Sequence, residues 1–124
     1  MAKARTLTRP RRGEVYLVSF DPTVGAEIKK TRPAVVVQND VANRWSPITI
    51  VAAVTSKSDD GRTYPTQVAV RAPEGGLRTD STLLLNQLRS VDRARLVRRM
   101  GMLNAETMVA VDRALLLSLG LVDI

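Results

Sequence analysis

Residues 29–40 read KKTRPAVVVQND. At the centre, Ala34, Val35, Val36 and Val37 form an unbroken apolar run rich in β-branched side chains. That pattern predicts a strand buried on both faces. Pro33 disfavours helical backbone in the residue before it, so Thr31–Arg32 should enter the strand extended. Arg32 therefore stands at the mouth of a buried strand. It is either a solvated strand end or a cation presented for a purpose, and the rest of the chain has to decide between the two.

Working outward, the flanking segments also read as strands. Val15, Tyr16, Leu17 and Phe20 predict a first strand over 13–20, stopped by the Asp21-Pro22 turn signal. Residues 21–31 form a loop with Gly25 as its flexible point, and 32–39 are the second strand. The polar segment 40–47, DVANRWSP, predicts a short helical turn or excursion. ITIVAAVTS at 48–56 is a continuous apolar run between Pro47 and a polar turn, hence a third strand. Thr66, Val68 and Val70 alternate with Gln67, Ala69 and Arg71 in a half-buried fourth strand. PEGG at 73–76 turns the chain into a fifth strand over 82–89, and a short sixth lies near 97–102.

One helix follows. Asn104 can cap it, Glu106 suits the positive end of its dipole, and Gly120 follows its last apolar turn. Met108, Val111, Leu115 and Leu119 fall on one face, widened by Leu116, for a core or a dimer interface. Six short strands and one helix predict a mainly β fold, a small barrel with a C-terminal α-helix packed on it. At 124 residues the chain is long enough for one modest core. Residues 1–12 carry five basic groups and no acid and read as a flexible basic arm, leaving 13–124 as a single domain.

Composition narrows the chemistry. The chain contains no cysteine and no histidine. Disulfides, thiolate nucleophiles, the usual neutral-pH general base and the commonest transition-metal ligand are all missing. The carboxylates are too scattered for a dedicated magnesium cage, so any catalysis must use Arg, Lys, Asp, Glu, Ser, Thr or Tyr, or a cofactor. Nineteen Lys and Arg against twelve Asp and Glu give a net charge of +7, and fifteen of the nineteen are Arg. Arginine favours planar, bidentate recognition of phosphate, and such an excess points to a polyanion, nucleic acid before a membrane surface. No apolar run approaches a membrane span and no hydrophobic segment follows the basic N-terminus, so a cytoplasmic protein is expected.

With these elements in place, six blocks resemble the MazF/PemK family of toxin endoribonucleases. They are RGEVYLVSFDPTVGAE (12–27), TRPAVVVQND (31–40), NRWSPITIVAAVTS (43–56), YPTQV (64–68), DSTLLLNQLRSVDRARL (80–96) and SLGL (118–121). The resemblance implies an SH3-like barrel with a C-terminal helix, usually a homodimer. It implies sequence-specific, metal-independent cleavage of single-stranded RNA, with 2′,3′-cyclic phosphate and 5′-hydroxyl ends. It also implies a cognate MazE-like antitoxin as partner. The arginine and threonine central to the family's catalysis fall on Arg32 and Thr55. Two departures stand out: GAEIKK replaces a Gly- and Gln-rich run common among relatives, and Gln67 stands where many carry histidine.

RNA brings its own nucleophile, the 2′-OH, so the protein need only move protons and stabilise charge on the phosphorus. Arg32 can grip two phosphate oxygens, and Thr55 either offers a hydroxyl to the same group or is simply a strand-end threonine. Glu27, in the loop before Arg32, is the candidate base, or else a solvated loop acid. For RNA binding the candidates are Lys29, Lys30, Gln38, Asn39, Asn43, Arg44, Ser56, Gln87 and Arg89, because amides and arginines suit phosphates and the edges of splayed bases. Trp45 could stack on a base, but burial beside Pro47 is the expectation. Two other functions remain open on the same fold: a CcdB-like gyrase inhibitor and a non-catalytic RNA-binding barrel.

Overall fold

The computed structural model describes residues 9–20, 31–56 and 64–123. Six strands run β1 (Glu14–Ser19), β2 (Thr31–Val36), β3 (Ile48–Thr55), β4 (Gln67–Val70), β5 (Ser81–Asp92) and β6 (Leu96–Met102). Helix α1 (Asp40–Trp45) joins β2 to β3, and α2 (Ala105–Ser118) follows β6. The strands form one sheet in the order β4-β5-β3-β2-β1-β6 with antiparallel neighbours throughout. The fold is mainly β with a C-terminal helix, as expected. The ladder does not close between β4 and β6, however, so "barrel" describes the architecture only loosely.

Burial explains why β2 sits near the centre of that order. Val35 and Val37 join one apolar cluster with Val15, Ala52, Val54, Leu83, Leu85 and the helix residues Val111 and Ala114. Ala34 and Val36 join a second cluster with Tyr16, Val18, Val51, Val91 and Leu96. A strand whose successive side chains enter two different cores must be apolar without interruption, which is what the AVVV run provides.

The fifth strand is longer than the 82–89 expected. Ala52 pairs with Leu88 and Ala53 with Leu84, so Leu85, Asn86 and Gln87 bulge out of the ladder with β3. The bulge bends the strand, which then continues to Asp92. Polar residues at 86, 87, 89 and 90 hide this continuity from a search for alternation.

Helix α2 starts as predicted: the Asn104 side chain accepts a hydrogen bond from the Thr107 N–H at 2.8 Å. Its buried residues are Val111 and Ala114, with Met108 and Leu115 packed partly against the core. Leu119 is outside the core, being 57% exposed, and Leu116 is exposed as well, which leaves this part of the stripe to the dimer-interface alternative. The helix rotates its face toward Ala114, where a small side chain allows close packing on the sheet. Beyond Ser118 it has left the core.

The 40–47 segment is the helical turn expected, with Asn39 capping it by accepting from the Ala42 N–H at 2.8 Å. The chain before β1 docks here. The Arg12 N–H donates to Asp40 Oδ1 at 2.7 Å, Arg12 Nε donates to the Val37 carbonyl, and Arg12 Nη2 pairs with Asp112 of α2. The Arg12 N–H, with smaller help from Asn43, holds the Asp40 carboxyl below its ordinary pKa. Pro10 is fully buried, so the chain is anchored by residue 10. Residues 1–8 of the expected arm lie outside the described residues.

Candidate active site

Strand register brings the two ends of the 31–56 segment together. Ala34 faces Ala53, Val35 faces Ala52 and Val36 faces Val51. Carried two residues further, the same register sets Arg32 opposite Thr55. Both residues line a single cavity of about 660 Å³ at that end of the sheet.

The cavity combines an apolar lining with polar groups. Leu17, Pro33, Val54, Leu77 and Met100 contribute the apolar part, and each is buried or half-buried. Arg32, Ser56, Arg78, Thr79 and Arg98 are exposed around it, with Thr55 half-buried. Ser81 lies deeper, its hydroxyl donating to the Thr79 carbonyl at 2.9 Å. Three arginines thus converge from three separate elements: β2, the connection into β5, and β6. None of the described residues lining the cavity is an Asp or Glu.

Elsewhere two of the described arginines pair with acids. Arg12 pairs with Asp112 at 2.7 Å and Arg99 with Glu14 at 2.6 Å. Glu14 is buried and also accepts from the Arg11 N–H and the Tyr16 hydroxyl. Burial first, and the Glu14 charge second, push Tyr16 up to about 12, so its phenol stays a donor. Arg99 is thereby committed to structure, whereas its neighbour Arg98 on the same strand reaches the cavity. Arg32, Arg78 and Arg98 form no ion pair among the described residues. Three guanidiniums with no acid beside them among the described residues, together with several hydroxyls around one concavity, are suited to oxyanions, phosphate above all.

The other residues singled out from the sequence fall elsewhere. Glu27, Lys29 and Lys30 lie outside the described residues. Ser56 lines the cavity beside Thr55. Gln87 is exposed in the bulge of β5, and Arg89, further along, rests its guanidinium 4.8 Å from the centre of the Phe20 ring.

Gln38, Asn39, Asn43 and Arg44 gather at the opposite end of β2, away from Arg32. Asn43 requires a correction: at 1% exposure it cannot meet RNA. Its side chain donates to the Gln38 carbonyl and to Asp40 Oδ1, and accepts from Thr49 Oγ1 and Gln38 Nε2, over 2.7–3.1 Å. It is the hydrogen-bonding hub that lets a polar turn sit against the sheet. Gln38 also donates to the Ile48 carbonyl, and Asn39 is the helix cap, so both amides serve the fold. Trp45 reverses its expectation too, since it is exposed rather than buried beside Pro47.

Arg78, Thr79, Ser81 and Arg98 are site residues that sequence reasoning misses. An arginine beside a glycine-rich turn (Arg78) and a doubled Arg98-Arg99 on a strand are the only local signals they carry. Their convergence is a product of topology.

Residues 11–119 match the family described as PemK-like, MazF-like toxin of type II toxin-antitoxin system. The chain belongs to that family. Endoribonuclease EndoA of Bacillus subtilis (strain 168) is 42% identical over 113 residues, spanning 91% of this chain and 97% of the relative. Among solved structures, the MazE-MazF complex of Deinococcus radiodurans (Form-II) superposes with a TM-score of 0.76 at 26% identity, covering 93% of this chain and 99% of that one. An endoribonuclease from a Mycobacterial species, in complex with its cognate antitoxin, shares the fold with a TM-score of 0.77 at 23% identity, over 93% and 99% of the two chains.

Proposed function

We propose that this toxin is a sequence-specific endoribonuclease that cuts single-stranded RNA without a metal and is silenced by a cognate antitoxin. One observation carries the reading: Arg32, Arg78 and Arg98 surround the cavity that Thr55 and Ser56 also line, with no acid among its described lining. The related proteins named as endoribonucleases support it. The metal-free character follows from the family resemblance, and the sequence, with neither His nor Cys to hold a transition metal, is consistent with it.

In this mechanism a phosphodiester enters the cavity with its non-bridging oxygens on Arg32 and the Thr55 hydroxyl. The 2′-OH attacks phosphorus, its proton passing to a base for which Glu27 is the candidate. The bond to the 5′ oxygen breaks and that oxygen gains a proton, leaving a 2′,3′-cyclic phosphate and a 5′-hydroxyl. Arg32 gains most as charge accumulates on the phosphorane, because a fixed guanidinium needs no reorganisation at that moment. Arg78 and Arg98 supply further positive potential for the flanking phosphates, and Lys29, Lys30, Ser56, Gln87 and Arg89 complete the RNA contacts.

The apolar surface left at the end of α2 by Leu116, Leu119 and Leu121 favours a homodimer. No described helix is long and apolar enough to cross a membrane, and a toxin of mRNA would act in the cytoplasm. Residues 1–12 act as a basic arm whose end, from Pro10 to Arg12, docks on the domain spanning 13–124.

Incubating the purified protein with a long RNA in EDTA, then mapping 5′ ends, tests the reading. The expected result is cuts at one short recurrent sequence, each with a 5′-hydroxyl. Intact RNA, or cutting that requires added Mg²⁺, would reject it. Intact RNA together with trapped gyrase–DNA complexes would indicate the gyrase-inhibiting alternative.

A further inference from the structure

The chain has one tryptophan, and it is in an unexpected place. Trp45 is 75% exposed on α1, where large aromatic side chains are usually mostly buried. The guanidinium of Arg44 lies 5.1 Å from the centre of its ring and covers part of it. Arg44 also borders a shallow concavity of about 270 Å³, together with Arg9, Pro10, Arg11 and Asp40.

The arrangement is built rather than incidental. Buried Pro10 anchors the chain, and the Arg12 N–H bond to Asp40 ties it to the first residue of α1. Arg9 and Arg11 are thereby placed beside Arg44, three cations against the single acid Asp40. That acid already accepts from Arg12 and Asn43. Lys3 and Arg5 add further positive charge to the chain leading into this surface. None of these residues lines the catalytic cavity. Arg32 and Val36 are separated by about 13 Å of extended strand, and α1 lies beyond Val36.

An open aromatic face beside three arginines matches one chemistry better than others. Single-stranded nucleic acid offers bases to stack on an aromatic ring and phosphates for the flanking cations. We propose that Arg9, Arg11, Arg44 and Trp45 form a second docking surface for single-stranded RNA, holding the substrate outside the catalytic cavity. The proposal rests on RNA being the substrate, but it assigns a separate site with a separate readout. It predicts that RNA extending well beyond the cleavage sequence binds more tightly than the minimal target.

The sole tryptophan reports on its own surroundings. The Arg32→Ala protein, which should bind without cutting, is titrated with a twelve-nucleotide oligouridylate while tryptophan fluorescence is followed. Saturable quenching is expected. An added Arg9→Ala/Arg11→Ala pair should raise the Kd at least about five-fold and make the salt dependence shallower, by about 0.7 for each phosphate that is no longer neutralised. In the otherwise native enzyme, Trp45→Ala should raise KM for a long RNA by about five-fold or more, leaving kcat and the KM of the minimal target unchanged.

Absence of quenching, or quenching indifferent to the arginine pair and to salt, would overturn the proposal. Equal effects of Trp45→Ala on long and minimal RNA would overturn it as well. So would fluorescence that responds only to protein concentration or to an acidic peptide, because the surface would then serve a protein. Quenching by RNA, together with no cleavage of any long RNA by the native protein, would refute the proposed function while leaving this site standing.

Discussion

In the Arg32→Ala protein, RNA cleavage should fall by at least about 10²–10³-fold, the usual cost of losing one preorganised charge-stabilising donor. Single-turnover cleavage of a target RNA measures it, alongside circular dichroism to confirm an unchanged fold. The fold should survive because the Arg32 side chain is exposed and forms no hydrogen bond or ion pair with another described residue, while its backbone stays in the ladder with Val18. Its neighbours toward the core, Ala34 and Val35, are fully buried and hold β2 without it. Arg32→Lys should recover only part of the rate, since an ammonium keeps the charge but not the planar fork. Unimpaired cleavage by Arg32→Ala would remove the arginine from the chemistry.

The largest stability loss is expected from Gly76→Ala. Gly76 has φ +74, and a Cβ built there overlaps the main-chain carbonyl of Met100, which cannot swing aside as a side chain could. At the same crossing Gly101 also approaches closely, a Cβ on it lying 2.5 Å from the Gly75 carbonyl carbon. This crossing presses the one-turn 3-10 helix at Glu74–Gly76 onto β6. It thereby fixes Leu77, Arg78 and Thr79 beside Met100 and Arg98 around the cavity.

Backbone strain and overlap together should cost about 3–5 kcal/mol, lowering Tm by roughly 10–20 °C. Gly120→Ala is the matched control. Its φ is also +74, but nothing lies within 4 Å of the added carbon. It should cost only the conformational strain, about 1–2 kcal/mol. Thermal unfolding of both variants checks the difference, and equal losses would show that the crossing carries no special weight.

These contrasts also show what can be read from the residues alone. β2 and β3 are legible because a strand entering two cores is apolar at every position, a pattern few surface segments imitate. α1 is legible from the polarity of its segment, and α2 through its asparagine cap. The length of β5 is not, because a three-residue bulge interrupts its pairing with β3 and polar residues occupy the continuation. Helical periodicity puts Leu119 on the apolar face, but periodicity does not say where the sheet beneath a helix ends.

At the site, the family resemblance singles out Arg32 and Thr55, and the strand register brings them together. Arg78 and Arg98 lie 46 and 66 positions beyond Arg32 in the sequence, and only the order β2-β1-β6 and the glycine crossing unite them. Conversely, Gln38, Asn39 and Asn43 look like surface amides because hydrogen bonding inside a small turn leaves no trace in composition. Trp45 errs in the other direction: hydrophobicity predicts burial where the helix turns the ring outward.

The central claim is that the arginine-lined cavity promotes attack by the RNA's own 2′-OH. Replacing the single 2′-hydroxyl at the mapped cleavage position by hydrogen, in an otherwise unchanged RNA, tests it most directly. The account predicts that the substituted RNA still binds, with cleavage at that position abolished, while the all-ribose RNA yields a 2′,3′-cyclic phosphate. Cleavage of the deoxy-substituted RNA at the same bond and a comparable rate would contradict it.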